Sequence, residues 1–259
     1  MSAAGPAARA AAWRHMTHEL VCNRVEPWAH GTLVRASDLP TYYDYNLVRV
    51  EAPDPDLDAE ALAGAAEAVL GDLGHRRIEV EDVAAGERLR PGFEALGWRI
   101  ERLAFLHRPL PGPAVAAAHG AELRGEPFEA TRPLRGVWQG ESPWGEPPEF
   151  LLVEEGVARR RGTRAVIGRF GGEPAGFAAF SARDATAEVE LVFCLPERRN
   201  AGLGGALVAR ALEEAHAAGA RDALIEAHDD GAPKRLYERL GFRTVWRRWS
   251  FTRRPEDAQ

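Results

Sequence analysis

The stretch Pro196 to Gly204 reads P-E-R-R-N-A-G-L-G, with an apolar strand pattern entering from Glu190 and an apolar helix pattern leaving after Gly204. These residue types suit a diphosphate. Glycine at 202 and 204 removes the Cβ atoms that would hold an anion off the backbone. The first turn of the helix then presents unpaired N–H groups and the positive end of its dipole. Arg198 and Arg199 add charge-assisted donors. No Gly-Lys-Ser/Thr follows, so the segment is not a Walker loop, and the three-glycine dinucleotide fingerprint is missing too. A glycine-rich helix start that binds nothing has the same composition, and a nucleotide-binding regulator would use the same loop.

Other groups with chemical potential lie close by in sequence. Glu188 and Glu190 alternate along a strand and share one side by period two, where paired carboxylates raise one pKa towards that of a base. A solvated strand face fits them equally. His228, Asp229 and Asp230 follow a strand, at an end where α/β sites gather ligands, and their acidity would attract an ammonium group. Cys194 has no base near it in sequence and reads as a small buried hydrophobe. Tyr237 falls in an amphipathic pattern with Leu236 and Leu240, as a packed core tyrosine would. The eight histidines show no metal-ligand spacing, so no metal is expected.

The elements that must position these residues follow from periodicity. In the second half, Thr163–Phe170, Glu173–Ala182 and Ala187–Leu195 read as successive strands turned at Gly171-Gly172 and Arg183-Asp184. Gly204–Ala218 reads as a helix stopped by Gly219, Ala223–Ala227 as a strand, Pro233–Leu240 as a helix capped by Gly241, and Phe242–Phe251 as a strand. In the first half, Asn46–Glu51 is a strand, with another short strand in an irregular Trp28–Asp38. Asp58–Leu73 is a helix ended by Gly74, Arg77–Glu81 a strand, Arg90–Leu96 a short helix closed by Gly97, and Trp98–His107 a strand. A helix over about Ala114 to Leu123, a loop-dominated Thr131–Pro148 and an ambiguous Phe150–Ala158 lie between the halves. Residues up to about 12 read as a loosely docked leader, and those after Arg253 as a frayed tail.

The halves share an order. Phe93-Glu94-Ala95-Leu96-Gly97-Trp98 corresponds to Tyr237-Glu238-Arg239-Leu240-Gly241-Phe242, an offset of roughly 144 positions that points to internal duplication. The run Pro109-Leu110-Pro111-Gly112-Pro113 resists helix and sheet and marks a boundary. The expected domains are therefore 14–110 and 114–253. A net charge of -6 supports no broad nucleic-acid surface, and no apolar stretch reaches membrane-span length. Two isolated cysteines, Cys22 and Cys194, make no disulfide framework, which suits a reducing cytoplasm.

Arg199-x-x-Gly202-x-Gly204 resembles the Q/R-x-x-G-x-G/A signature of the GCN5-related N-acetyltransferase (GNAT) superfamily. Asp230-x-x-Pro233-x-x-Leu236-Tyr237-x-x-x-Gly241-Phe242 is similar to its second motif, with Asp230 in place of the usual asparagine and Pro233 of the usual alanine. The likeness covers roughly Thr163 to Phe251, and the first half looks like a degenerate second copy without the loop. The resemblance implies an α/β fold, a mixed twisted sheet flanked by helices in two similar domains, splayed between two central strands. It further implies that acetyl-coenzyme A, or another acyl-coenzyme A, binds in that splay. The backbone of Phe193, Cys194 and Leu195 would pair with the pantetheine arm. Arg198, Arg199, Asn200, Ala201, Gly202, Leu203 and Gly204 would wrap the pyrophosphate, with Asp230 and Tyr237 beside the cofactor. Tyr237 would protonate the leaving thiolate, and Glu188 or Glu190 would accept the proton of a small-molecule or peptide amine. The implied acyltransferase acts by direct transfer, as a monomer or homodimer. A noncatalytic acyl-coenzyme A-binding or structural protein is the alternative.

Overall fold

The computed structural model describes residues 5–113, 118–141 and 148–255. Two compact units result: Met1–Ala104 with Val245–Gln259, and Phe105–Thr244. The sequence-based division at 110 and 253 is corrected at both ends. The proline-rich run at 109–113 begins on the last residue of a strand, and the strand Arg243–Arg253 belongs largely with the first unit.

Unit 1 opens with α1 (Pro6–Val21), then β1 (Arg24–Trp28), β2 (Gly31–Arg35), β3 (Asn46–Val50), α2 (Ala59–Leu70), β4 (Arg76–Val80) and α3 (Val83–Ala95). The expected leader is a helix from residue 6, held by buried Ala10, Trp13, Arg14, Thr17, His18 and Val21. Helix α2 ends at Leu70 rather than Leu73. Helix α3 starts at Val83, seven residues earlier than expected, because Asp82 caps it by accepting from Ala85 N–H at 2.7 Å. β1–β2 and β2–β3 are antiparallel and β3–β4 parallel. The chain's last strand, β11 (Arg243–Arg253), pairs antiparallel with β4, setting Trp249 opposite Val80 and Phe251 opposite Ile78. The core forms where Leu62, Ala66 and Leu70 of α2 and Leu89 and Phe93 of α3 meet Val48, Ile78, Trp249 and Phe251. Arg254, expected to open a frayed tail, is buried, and residues 256–259 lie outside the described residues.

Strand β5 (Arg99–Pro109) enters unit 2, which continues with β6 (Glu122–Pro127), α4 (Arg132–Glu141), α5 (Phe150–Arg161), β7 (Arg164–Phe170), β8 (Glu173–Arg183), β9 (Thr186–Cys194), α6 (Leu203–Ala217), β10 (Asp222–His228) and α7 (Ala232–Arg239). Of the helix expected near Ala114–Leu123, residues 114–117 lie outside the described residues, and Glu122 and Leu123 belong to β6, paired with β7. The region expected to be loop-dominated holds α4, whose Leu134 and Trp138 pack one turn apart on Phe128, Phe177 and Phe193. Its Gly136 and Gly140 disguise it in sequence; Trp144 and Glu146 of the same region lie outside the described residues. The sheet order is β10-β9-β8-β7-β6. The two units thus repeat one plan, a mixed sheet flanked by helices: helix, three antiparallel strands, a crossover helix, a parallel strand and a second helix.

Candidate active site

In unit 2, β9 and β10 pair from Thr186–Asp222 to Val189–Ile225 and there the ladder stops. β9 continues to Cys194 and β10 to His228, so the strands part over their C-terminal ends. Leu195 N–H bonds the Ala175 carbonyl at 2.9 Å, turned towards β8, and its own carbonyl accepts from Arg198 N–H at 2.8 Å. The expectation that Leu195 offers backbone to a ligand is therefore corrected. By the alternation of a strand, the Cys194 groups point the other way, where the Cys194 carbonyl accepts from Arg199 Nε at 3.1 Å.

Unit 1 treats the equivalent place differently. Its parallel pair β3–β4 is joined to Val50–Val80, and Glu81 N–H adds a further bond to the Val50 carbonyl at 3.0 Å. No splay forms. The following helix, α2, is capped by the Asp58 carboxylate, which accepts from Ala61 N–H at 2.8 Å. Arg88 ties the approach loop down through the Leu57 carbonyl at 2.6 Å and the Asp54 carbonyl at 3.1 Å. A negative charge and a closed ladder make this end of unit 1 unsuited to an anion.

At the matching end of unit 2, Gly202 is the N-cap of α6 with φ 82°, and no side chain caps the helix. A left-handed φ is available to glycine without strain. Asn200, also at positive φ (61°), makes the tight approach turn. The N–H groups of Leu203, Gly204 and Gly205 form the first turn of a 15-residue helix, and a Cβ on Gly202 would meet nothing within 4 Å. These donors and this open space fit a pyrophosphate. Arg199 stands at the loop, its Nη2 2.5 Å from Glu141 Oε2 of α4, whereas Arg198 lies over the Phe170 ring at 4.5 Å.

Cys194 and Tyr237 meet beside this helix start. The Cys194 Sγ lies 3.7 Å, and Leu236 Cδ2 3.6 Å, from where a Cβ on Gly204 would sit. Burial pushes the Cys194 thiol up to about 11, with Arg199 pulling slightly against it. It is a neutral packing group at neutral pH. Tyr237 is 6% exposed, and burial, then the neighbouring Cys194, pushes its hydroxyl up to about 12. The hydroxyl therefore stays protonated and able to donate. Of the expected acidic attractor, Asp229 is engaged by Lys234 Nζ at 2.6 Å from its Oδ1, while Asp230 is exposed.

Glu188 and Glu190 come together on the opposite face of β9. Ser181 pairs with Glu188 and Ala179 with Leu191, and a bulge in between leaves Glu190 as the extra residue. Both carboxylates reach Arg161, whose Nη2 lies 2.6 Å from Glu188 Oε2 and 3.1 Å from Glu190 Oε1. The Thr163 hydroxyl is 3.2 Å from Glu190 Oε1. Burial raises the Glu190 carboxyl above its usual range, opposed by Arg161 and reinforced by Glu188. They are not on a solvated strand face. Arg161 and Thr163 are residues of this site that sequence reasoning passed over, while Glu141 and Trp138, which stacks on Phe193 at 5.8 Å, lie in the Thr131–Pro148 segment whose sequence fits a cleft lining and a surface loop equally. The Arg159-Arg160-Arg161-Gly162 run was the available signal, a basic helix end with a glycine stop. Among the described residues no group of three His, Cys, Asp or Glu is placed to hold a metal ion.

The model of the acetyltransferase (GNAT) family matches residues 126–242, which include both the splay and the α6 loop. No curated protein matches the chain. In fold, the chain is similar to a functionally unknown conserved protein from Staphylococcus epidermidis (TM-score 0.70, 12% identity, 91% of this chain and 95% of that one). It is also similar to a GCN5-related N-acetyltransferase from Kribbella flavida (TM-score 0.64, 22% identity, 96% of each chain). A tandem GNAT protein from the clavulanic acid biosynthesis pathway shares the fold at TM-score 0.50 and 21% identity, over 76% of this chain and 69% of that one. The splayed strands and the uncapped glycine helix start thus lie within residues 126–242, the stretch that matches the acetyltransferase (GNAT) family model.

Proposed function

We propose that unit 2 transfers an acetyl or short acyl group from an acyl-coenzyme A to a primary amine by direct transfer. The observation that carries this reading is the parting of β9 from β10 after Val189–Ile225, beside the uncapped start of α6 and the Tyr237 hydroxyl. When bound, the cofactor supplies the acyl group as a thioester. The N–H groups of Leu203, Gly204 and Gly205 would hold its pyrophosphate, and the Cys194 backbone would align its pantetheine arm. The Cys194 backbone N–H, turned away from β8, is fixed before reaction, so it would meet a developing oxyanion without reorganising. As nitrogen bonds to the acyl carbon and the carbon–sulfur bond breaks, the proton leaving nitrogen passes to the Glu188/Glu190 pair. Tyr237 Oη holds the proton destined for sulfur. Holding both partners in line supplies much of the acceleration, and no covalent intermediate on the protein is needed. Cys22 and Cys194, neither of them in a disulfide, suit a reducing cytoplasm.

The test is acetyl-coenzyme A consumption over a broad amine panel, beside calorimetric binding of coenzyme A and ATP. Turnover with one amine class, together with coenzyme A binding tighter than ATP, is the expected result. Tight binding without turnover would instead make the chain a noncatalytic acyl-coenzyme A binder, and preference for ATP would remove the cofactor assignment.

A further inference from the structure

Resting on the acyltransferase reading of unit 2, we propose that Arg161 is the positioning residue of the proton-accepting pair: it binds Glu188 the more closely and leaves Glu190 to take up the proton released by the amine.

The arrangement follows from how α5 ends. Gly162 adopts φ 69° and ψ 33°, and Thr163 N–H bonds back to the Ala158 carbonyl at 2.8 Å, a left-handed helix stop. That stop sets Arg161 and Thr163, two residues apart, against the same stretch of β9. One guanidinium nitrogen, Nη2, then serves both carboxylates and lies 3.4 Å from the Ser181 hydroxyl. Its contact with Glu188 is the shorter, 2.6 Å against 3.1 Å. Glu188 sits in regular register opposite Ser181, whereas Glu190 is the residue displaced by the bulge, with long hydroxyl contacts of 3.2 and 3.3 Å from Thr163 and a further hydroxyl partner in Ser181.

Two buried carboxylates facing one cation carry a surplus negative charge, so one proton is taken up far more readily than in water. It goes to the carboxylate less tightly bound to the cation. The charged groups that face Glu190 are Arg161 from α5 and Glu188 on its own strand, with the hydroxyls of Thr163 and Ser181 as neutral partners. Towards β10, the residues in register with Glu188 and Val189 are the buried, apolar Leu224 and Ile225. Burial and Glu188 raise the Glu190 carboxyl while Arg161 restrains it. Arg161 thereby keeps Glu190 ionised when an amine arrives, yet basic enough to accept its proton. The proton comes off the nitrogen as the new N–C bond forms and rests on a Glu190 oxygen, which returns it to water after product leaves.

The experiment is a carbon NMR titration of glutamate carboxyl groups in the intact, cofactor-free protein, with Glu188→Gln and Glu190→Gln used to assign the two signals. The Glu190 signal should titrate above the ordinary glutamate value of about 4.3. In Arg161→Gln its midpoint should rise by about one pH unit or more, since an adjacent cation has been removed. Arg161→Lys should restore part of the shift. Thr163→Val, which leaves Arg161 in place, should raise the Glu190 midpoint by a smaller amount. The acid limb of kcat/KM should move in the same order. A Glu190 midpoint equal in wild type and Arg161→Gln, or a raised midpoint on Glu188 instead, overturns the proposal. A protein that titrates as described but acylates no amine overturns the acyltransferase reading and leaves the order of proton uptake standing.

Discussion

Asp58 and Gly202 occupy the same N-cap position in the two repeats, and they do opposite things there. The Asp58 carboxylate fills the first turn of α2 by accepting from Ala61 N–H at 2.8 Å, while Gly202 leaves the first turn of α6 uncapped by any side chain. Installing a carboxylate at 202 should therefore reproduce the closed state of unit 1. Gly202→Asp should weaken coenzyme A binding by roughly tenfold or more through occupied donors and like charge, with helix content unchanged because aspartate both caps helices and tolerates a left-handed φ. Calorimetry with circular dichroism checks this, and unaltered affinity would remove the loop assignment. The reciprocal Asp58→Gly should create no binding, because β3 and β4 stay zipped to Glu81.

Tyr237→Phe should lower kcat by about a hundredfold or more, the usual scale for a lost general acid. Coenzyme A affinity should hardly change, since the ring packing against Phe242 at a centroid distance of 6.4 Å is kept. Steady-state rates measured beside direct binding separate the two quantities.

Alkaline pH should destabilise the fold through Cys194 and Tyr237. Both have raised folded values, about 11 against 9.0 and about 12 against 10.0, so between those limits the folded state binds more protons than the unfolded one. Stability is then fully present below about pH 9 and falls as pH rises through about 11 to 12. Melting temperatures across that window should fall less steeply in a Cys194→Ala, Tyr237→Phe double variant than in the wild type.

Gly86→Ala should be strongly destabilising despite sitting in a helix, where alanine is ordinarily preferred. An added Cβ would stand 2.0 Å from Trp249 Cδ1 and 2.5 Å from its Cγ. Overpacking of this kind costs about 1–3 kcal/mol, which thermal melting would register as a lowered transition. An unchanged or raised transition would mean that the α3–β11 contact is looser than described.

The carboxylate of Glu141 competes with an anionic ligand for Arg199. Glu141→Gln should tighten coenzyme A binding by a few-fold, an effect limited by the partly exposed pair and reduced further at high salt.

Much of this was legible in the sequence because periodicity and local chemistry agreed. The alternation in 163–195 and the glycine stops at Gly219 and Gly241 placed the strands and helices of unit 2 to within a few residues. What was hidden depended on contacts distant in sequence. Helix α4 carries Pro133, Gly136 and Gly140, all poor formers, and is held by Trp138 against Phe193. Helix α1 is alanine-rich with an indistinct apolar stripe, and Arg14 reaches across 65 positions to Glu79 at 2.6 Å. The carboxylates were correctly paired by period two, but their partner Arg161 lies 27 residues before Glu188 in a basic run that has no strand pattern of its own. The last strand's place was hidden for the same reason: no local signal says that Val245–Arg253 pairs with a strand about 170 residues earlier, setting Trp249 opposite Val80.

That last strand has a consequence for the timing of synthesis. On the ribosome, β4 emerges long before its partner β11, so unit 1 must wait with an unpaired strand edge and with Phe93 lacking the Phe251 ring that stacks on it at 4.2 Å. The first 104 residues are thus not a module that matures on its own while the rest is made. Their sheet becomes complete only once Arg243–Arg253 has been made, which couples the survival of the nascent N-terminal half to continued translation through β11.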